Sequence, residues 1–300
     1  MELPPKPGDM PNLEYIRILT PYVMGKALTP GKRVLDVGSN LGYGSWLMAS
    51  AGASDVTAVD LDDAKIRGLR ALCGALGNVR AAVVDAQSLP FGDACFQVVT
   101  FFEVIEHIPS PDAVLSEVRR VLSADGILCL TTPNRSVRLL PFQKPRNKEH
   151  LREYSARGLT RLLVRHFPYY RLMGIYGEPD LHGYYRRIWR PSAWRKFVTN
   201  PLRTAVGGLI PSAMKSWINR TLVRGGLLGP VGQPPEVPEV GLPPPAPEAW
   251  PFYVSGAKRD CLNFFVVCGA AEGRVRAAAY RIMELRRRSV ANTYAHVCGK

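Results

Sequence analysis

Two stretches of the chain hold residue types and spacings that could do chemistry. The segment Glu103-Val-Ile-Glu-His107 places two carboxylates beside an imidazole, and His150 follows in Glu149-His-Leu-Arg-Glu-Tyr154. Glutamate and histidine are the side chains most able to move a proton at a reacting hydroxyl near neutral pH. Structural roles compete with that reading. Glu103 and Glu106 could share one helical turn, Glu106 could cap backbone N–H groups, His107 could pack against Glu103, and His150 could bond to backbone or to His107. The second stretch is Arg33-Val-Leu-Asp-Val-Gly-Ser-Asn-Leu-Gly-Tyr-Gly-Ser45, in which an apolar run ends at Asp36 and Gly38, Gly42 and Gly44 follow. Glycines there let the backbone turn tightly into a helix N-terminus, approach a ligand closely and open N–H groups toward it. The dinucleotide fingerprint G-x-G-x-x-G is excluded, because Asn40 and Tyr43 stand where its second and third glycines belong. Further acids close the next apolar runs, Asp60 in Val56-Thr-Ala-Val-Asp-Leu-Asp62 and Asp85 in Val83-Val-Asp-Ala-Gln87. A carboxylate so placed can accept two hydroxyl hydrogens, although aspartate also closes turns for purely local reasons.

These residues need a scaffold, and the alternation of apolar runs with helical patterns supplies one. Strands are predicted at Arg33–Val37, Asp55–Asp60, Val79–Asp85, Phe96–Phe102 and Ile127–Thr132, with helices near Tyr43–Ala51, Asp63–Leu76 and Pro111–Leu122. Ser110 is placed to cap the last of these, Pro111 suits its first turn, and Asp125-Gly126 closes the turn that follows. The strands are apolar on both faces, as in a mostly parallel sheet covered by crossover helices. A helix near Ser155–Phe167 and a strand at Tyr170–Tyr176 continue the pattern. The apolar run Leu262–Cys268 returns the chain to the sheet, and Glu272–Val290 reads as a basic amphipathic helix with Val275, Ala279 and Ile282 on one face. His166, His182 and His296 carry no pattern and read as surface or packing residues.

With 300 residues, 46% hydrophobic and 21% charged, the composition excludes a wholly disordered chain and a small disulfide scaffold. The six cysteines show no C-x-x-C spacing, and Cys129, Cys261 and Cys268 lie in or beside strand-like runs, as small core residues do. No apolar run reaches the ~20 residues of a spanning helix, and prolines and acids occupy the first twenty positions, so a cytoplasmic chain is expected. The net charge of +14 is uneven: residues 1–180 hold 21 bases and 19 acids, whereas residues 181–235 hold nine bases and no acid. An anionic partner is therefore sought toward the C-terminus.

The spacing D-x-G-x-x-x-G-x-G, followed in order by Asp60, Asp85, Leu89-Pro-Phe91, Phe96–His107 and Thr131-Thr-Pro-Asn134, resembles the class I S-adenosylmethionine-dependent methyltransferases. The resemblance covers about residues 15–180 and resumes at 260–268. It implies a Rossmann-like, doubly wound, mostly parallel seven-stranded sheet and S-adenosyl-L-methionine as cofactor. It places Asp36, Gly38, Asn40, Gly42, Asp60, Leu61, Asp85 and Ala86 around that cofactor, with Asp60 on the ribose hydroxyls and Asp85 and Ala86 on the adenine. Asn40 departs from the family's glycine, but asparagine tolerates unusual backbone angles better than other side chains. The segment Glu103–His107 resembles the E-x-x-E-H motif of the ubiquinone-pathway and small-RNA 2′-O-methyltransferases. In those enzymes the acids and histidines hold a divalent ion that acidifies the acceptor hydroxyl. The resemblance thus implies catalytic roles for Glu106, His107 and His150, and a site for Mg, Mn or Zn made by Glu103, Glu106, His107 and His150. A metal-free general base at His107 stays open beside it.

The implied organisation is an N-terminal helical segment (1–30), a methyltransferase core (31–180), a basic, aromatic-rich insertion with a Pro-rich loop (181–251), a return strand (252–270) and a basic C-terminal helix (271–300). Trp189, Trp194, Trp217 and Ile218 among arginines suit an interface, and nine prolines in 229–251 suit an extended tether. The expected function is O-methylation of a small amphipathic, lipid-linked or carbohydrate-type acceptor. Residues 181–235 could contact an anionic membrane. RNA 2′-O-methylation and a non-catalytic binding module are the alternatives, and no RNP, KH or zinc module supports nucleic acid.

Overall fold

The computed structural model describes residues 10–139, 143–145, 147–189 and 252–297. Most of the basic insertion and all of the Pro-rich stretch (190–251) lie outside the described residues, as does Cys298. The elements run α1 (Met10–Gly25), a short 3-10 turn (Lys26–Leu28), β1 (Arg33–Val37), α2 (Tyr43–Ser50), β2 (Asp55–Asp60), α3 (Asp63–Cys73), β3 (Val79–Val83), β4 (Phe96–Phe102), α4 (Pro111–Val121), β5 (Leu122–Pro133), α5 (Arg135–Arg138), α6 (Ala156–Leu163), β6 (Tyr169–Gly177), α7 (Pro179–Trp189), β7 (Phe252–Gly256), β8 (Asn263–Gly269) and α8 (Glu272–Val297).

One eight-stranded sheet has the order β3-β2-β1-β4-β5-β8-β6-β7. The β3-β2-β1-β4-β5 part is parallel, and β8 enters antiparallel between β5 and β6. The chain winds outward from β1 to β3, then returns to the other side of β1 with β4. That reversal opens a crevice beyond the carboxyl ends of β1 and β4, the usual ligand site of such sheets. Successive residues of a strand feed opposite faces. Val34, Val56, Val98 and Phe265 pack under α1, α2 and α8, while Leu35, Val99, Phe101 and Phe264 pack under α4 and α6. Val275, Ala279 and Ile282 are buried as their spacing predicts, so this part of α8 docks on the sheet.

Three expectations are corrected. The sheet has eight strands, not seven, because the 252–270 segment is two strands. Phe252 and Val254 turn inward and pair β7 antiparallel with β6 at the sheet edge. Asp125-Gly126 does not end a turn before β5 but lies inside it, since β5 starts directly after α4 with Leu122 opposite Phe96 and a register shift before Val98. Ser110 occupies the N-cap position of α4 without a side-chain cap bond, whereas Asp62 and Ser155 do cap their helices. No helix among the described residues is long and apolar enough to cross a membrane.

The link between β7 and β8 is pinned by one hydroxyl: Tyr176 donates to the Gly256 carbonyl at 2.9 Å and accepts from the Lys258 N–H at 2.8 Å. Tyr176→Phe strands both backbone groups. It should cost about 1–2 kcal/mol in urea unfolding, and a change below a few tenths would show that β7 does not depend on this bond.

Candidate active site

The crevice is built from both of its sides. On the β1 side, Gly38 and Gly42 adopt φ of +74° and +87°, and Asn40 adopts +50°. A side chain on Gly38 would come within 2.3 Å of Val104, so glycine is what lets the first loop touch the segment leaving β4. The loop's N–H groups are not turned outward as expected. Gly38 and Ser39 donate to the Val59 carbonyl, Asn40 to Asp60 Oδ2 and Gly42 to the Ser39 carbonyl. A loop that has used these donors internally suits a cationic ligand better than a phosphate, which needs free N–H groups.

The three strand-end acids divide into two roles. Asp36 does not face an open pocket, contrary to expectation: it is fully buried, Oδ1 accepting from Tyr22 (3.2 Å) and Thr100 (2.8 Å) and Oδ2 from Ser45 (2.6 Å). Burial pushes its carboxyl up to about 6, against the lowering effect of the three hydroxyls. Asp60 lies at the crevice, its two oxygens each taking one backbone N–H, from Asn40 and Asp62, at 3.0 Å. Asp85 is exposed just beyond β3 and accepts from the Gln87 N–H at 2.8 Å. Beside them Leu61 is 72% exposed, an apolar side chain left uncovered at the rim, and Ala86 is half-buried.

On the β4 side, residues 103–107 form a turn rather than the helical turn considered for Glu103 and Glu106. Glu103, at φ +56°, directs Oε2 to Asn263 Nδ2 (2.7 Å), with Arg17 at 3.8 Å. Glu106 is buried, accepts from the Thr132 hydroxyl through Oε2 (3.0 Å) and leaves Oε1 without a hydrogen-bond partner. Burial, then the nearby Glu103 charge, holds the Glu106 carboxyl well above the usual range. The Glu106 carbonyl accepts from the Leu151 and Arg152 N–H groups, and His107 Nδ1 lies 3.0 Å from the Glu149 carbonyl. These bonds dock residues 149–152 on the turn and bring the His150 ring edge-on to His107, centroids 4.7 Å apart. Burial and then His150 lower the affinity of His107 for a proton.

The result is a convergence of Glu106, His107 and His150, with one ligand atom from each within 4.8 Å of the others. Glu103 is held apart by Asn263 and Arg17 and is not in this group, which leaves three of the four expected metal ligands together. A carbonyl only accepts, so His107 Nδ1 must carry the hydrogen, and Nε2 offers its lone pair. A buried acceptor with no donor, Glu106 Oε1, beside imidazole nitrogens is the donor set a divalent cation or a donating hydroxyl would satisfy. Sequence reasoning missed Arg17 and Tyr22, which carry no motif, and left Ser45, Thr100, Thr132, Glu153 and Asn263 without a role inside segments it had quoted. His166 bonds Asp112 at the surface and His182 packs on Tyr176; neither joins the site.

A family model described as "Methyltransferase domain" matches residues 13–166, and the chain belongs to that family. A Mycobacterium tuberculosis protein named "Probable S-adenosylmethionine-dependent methyltransferase" is 36% identical over 131 residues, 44% of this chain and 46% of the relative. A "Ubiquinone biosynthesis O-methyltransferase" of Neisseria meningitidis is 33% identical over 138 residues, 44% of this chain and 57% of the relative. The chain thus spans about half the length of the curated relatives it matches. A solved "SAM dependent methyltransferase" from Aquifex aeolicus is 18% identical, with a TM-score of 0.44, covering 57% of this chain and 92% of that one.

Two measurements check this geometry. Gly38→Ala should destabilise the protein by about 1–3 kcal/mol through overpacking on Val104 and backbone strain. Gly52→Ala, also at positive φ but in open space, should cost only about 1 kcal/mol. Equal costs would remove the Gly38–Val104 contact from the account. For Asp36, a folded-state value raised to about 6 contributes stability that is present below about pH 4 and lost as pH rises through 6. Relative to Asp36→Asn, the wild type should therefore lose up to about 3 kcal/mol between pH 4 and 7 in chemical unfolding, and a flat difference would contradict the burial of an ionisable group there.

Proposed function

We propose that this protein is an S-adenosylmethionine-dependent methyltransferase that methylates a hydroxyl oxygen of a small acceptor, amphipathic, lipid-linked or carbohydrate-type. The observation that carries the reading is the convergence of Glu106, His107 and His150 one turn beyond Val104, the residue against which the glycine loop rests. Family membership and a relative named for O-methylation support it.

The cofactor, when bound, supplies a methyl group already activated on a positively charged sulfur, so the protein's task is placement and proton removal. Gly38, Asn40 and Gly42 let the ligand approach the loop. Asp60 accepts the ribose hydroxyls with the lone pairs its two backbone donors leave unused. Leu61 covers the adenine face, and Asp85 with the Ala86 backbone takes its edge. Asp36 holds the loop from beneath without touching the ligand. His107, His150 and Glu106 orient the acceptor hydroxyl, and one of the imidazoles receives its proton.

The same three side chains fit a divalent ion, Mg, Mn or Zn, which would supply a positive charge that acidifies the hydroxyl. Glu103 is outside this set and instead anchors the turn through Asn263 and Arg17. A groove of about 550 Å³ is lined by Arg152, Arg161 and Arg165 together with Asp112, but none of Glu106, His107 and His150 lines it, and Arg165 is paired with Asp112. Contact with an anionic membrane through residues 181–235 belongs to the same reading.

Titration with S-adenosylhomocysteine tests the cofactor half. Asp60→Ala should weaken binding about 10- to 100-fold, the worth of charge-assisted hydrogen bonds, and unchanged binding sinks the assignment. Transfer of labelled methyl from the cofactor into a small-molecule cell extract tests the acceptor half. His107→Ala and Glu106→Gln should each lower transfer at least about 100-fold with homocysteine-product affinity retained. Activity indifferent to chelator would leave His107 as a metal-free base.

A further inference from the structure

We infer that Glu153 is a positioning residue: it fixes the hydrogen of His150 on Nδ1 and so presents the Nε2 lone pair to the site shared with Glu106 and His107. The inference rests on the reading that this cluster is where the acceptor or its cation binds.

The Glu153 side chain is fully buried, and neither carboxylate oxygen has a hydrogen bond of good geometry. His150 Nδ1 is likewise buried and without a hydrogen-bond partner. The two unpartnered groups face each other: Glu153 Oε1 lies 3.4 Å from His150 Nδ1 and, equally, 3.4 Å from Arg138 Nε. Leaving a buried polar atom unsatisfied is costly, more so for a charged one, so a small reorientation that completes this bond is favoured. Arg138 balances the charge of the carboxylate, and a guanidinium, which can only donate, cannot accept from His150 Nδ1. Glu153 Oε1 is the acceptor placed beside that nitrogen.

A neutral imidazole carries one N–H. With that hydrogen on Nδ1, His150 turns a bare Nε2 toward the cluster. His107 is arranged the same way by a different acceptor, the Glu149 carbonyl at 3.0 Å. The two rings would thus match in tautomer, each leaving Nε2 as its lone-pair nitrogen within the cluster that His107 and His150 form with Glu106. Acceptors behind histidine ligands, carboxylate or backbone carbonyl, characteristically set ring orientation and basicity at cation sites. Glu153 and Glu149 lie on either side of His150 in one short segment, so a single stretch of chain supplies a ligand and the acceptors that orient both rings.

Histidine ¹⁵N correlation spectra of the full chain, free of metal and cofactor, test this directly. The wild type should show His150 as the Nδ1–H tautomer. Glu153→Leu should move it to Nε2–H or to a mixture, and Glu153→Gln, whose amide oxygen can still accept, should restore Nδ1–H. In calorimetric titration with Mn²⁺ or Zn²⁺ alone, Glu153→Leu should bind about 10- to 100-fold more weakly than wild type, with affinity for S-adenosylhomocysteine unchanged. Should the leucine variant fail to fold, the wild-type tautomer and Glu153→Gln carry the test. A wild-type His150 in the Nε2–H form, or a leucine variant with tautomer and metal affinity intact, overturns the inference. A correct tautomer in a wild type that binds neither ion leaves Glu153 in place and removes the cation from the proposed function.

Discussion

The site depends on a carboxylate taken out of water. Asp36 sits at the end of the central strand β1, fully buried, and three hydroxyls from three other elements converge on it: Tyr22 of α1, Ser45 of α2 and Thr100 of β4. A buried carboxyl group is costly unless its lone pairs are used, so any arrangement that separates these elements is penalised. The bonds therefore clamp the N-terminal helix, the helix after the glycine loop and the strand on the far side of the switch point around one atom group. The Gly38–Val104 contact lies directly above that clamp. Asp36 reaches the crevice only through the backbone it holds, while burial and then the nearby Asp36 charge raise the proton affinity of Tyr22.

On the other bank of the crevice the same economy of charge separates two glutamates that the chain spells as a pair. Glu103 and Glu106 cannot both sit uncompensated in a dry turn without raising each other's proton affinity. The positive φ at Glu103 turns its carboxylate toward Arg17 and Asn263, contributed by α1 and β8. Glu106 then stands against Thr132 and the two histidines. One acid becomes a tether between the turn and the sheet, and the other joins the cluster with the two histidines.

Much of the β1 side of the crevice was legible because its determinants are local. The strands Arg33–Val37, Asp55–Asp60 and Phe96–Phe102 have the predicted bounds, since short apolar runs closed by Gly38, Asp60 and Glu103 define their own ends. Asn40 takes the left-handed conformation its small polar side chain tolerates. The orientation of Asp36 was not legible, because it is set by hydroxyls 14, 9 and 64 residues away with no spacing rule. Nor was β7: five residues after a proline-rich stretch show alternation too short to distinguish an edge strand from a loop, and only pairing with β6 decides it. The departure of Glu103 from Glu106 was hidden for the same reason, as its partners lie at the two far ends of the chain.

That contrast has a physical origin that bears on how such a fold takes new acceptors. The cofactor loop, Asp60 and Asp85 follow directly from strand ends in the parallel half of the sheet, where each crossover fixes the next. The β4 bank of the crevice is assembled from bonds to backbone groups between segments over forty residues apart, Glu106 to Leu151 and His107 to Glu149. Those bonds use carbonyl and N–H groups, which every residue possesses. Side chains in 149–154 can therefore change without dismantling the docking, provided an acceptor remains behind each ring that must show its Nε2. On this scaffold the backbone docking of 149–152 on the turn is therefore more constrained than the side chains around it, because it is set by main-chain groups and not by residue identity.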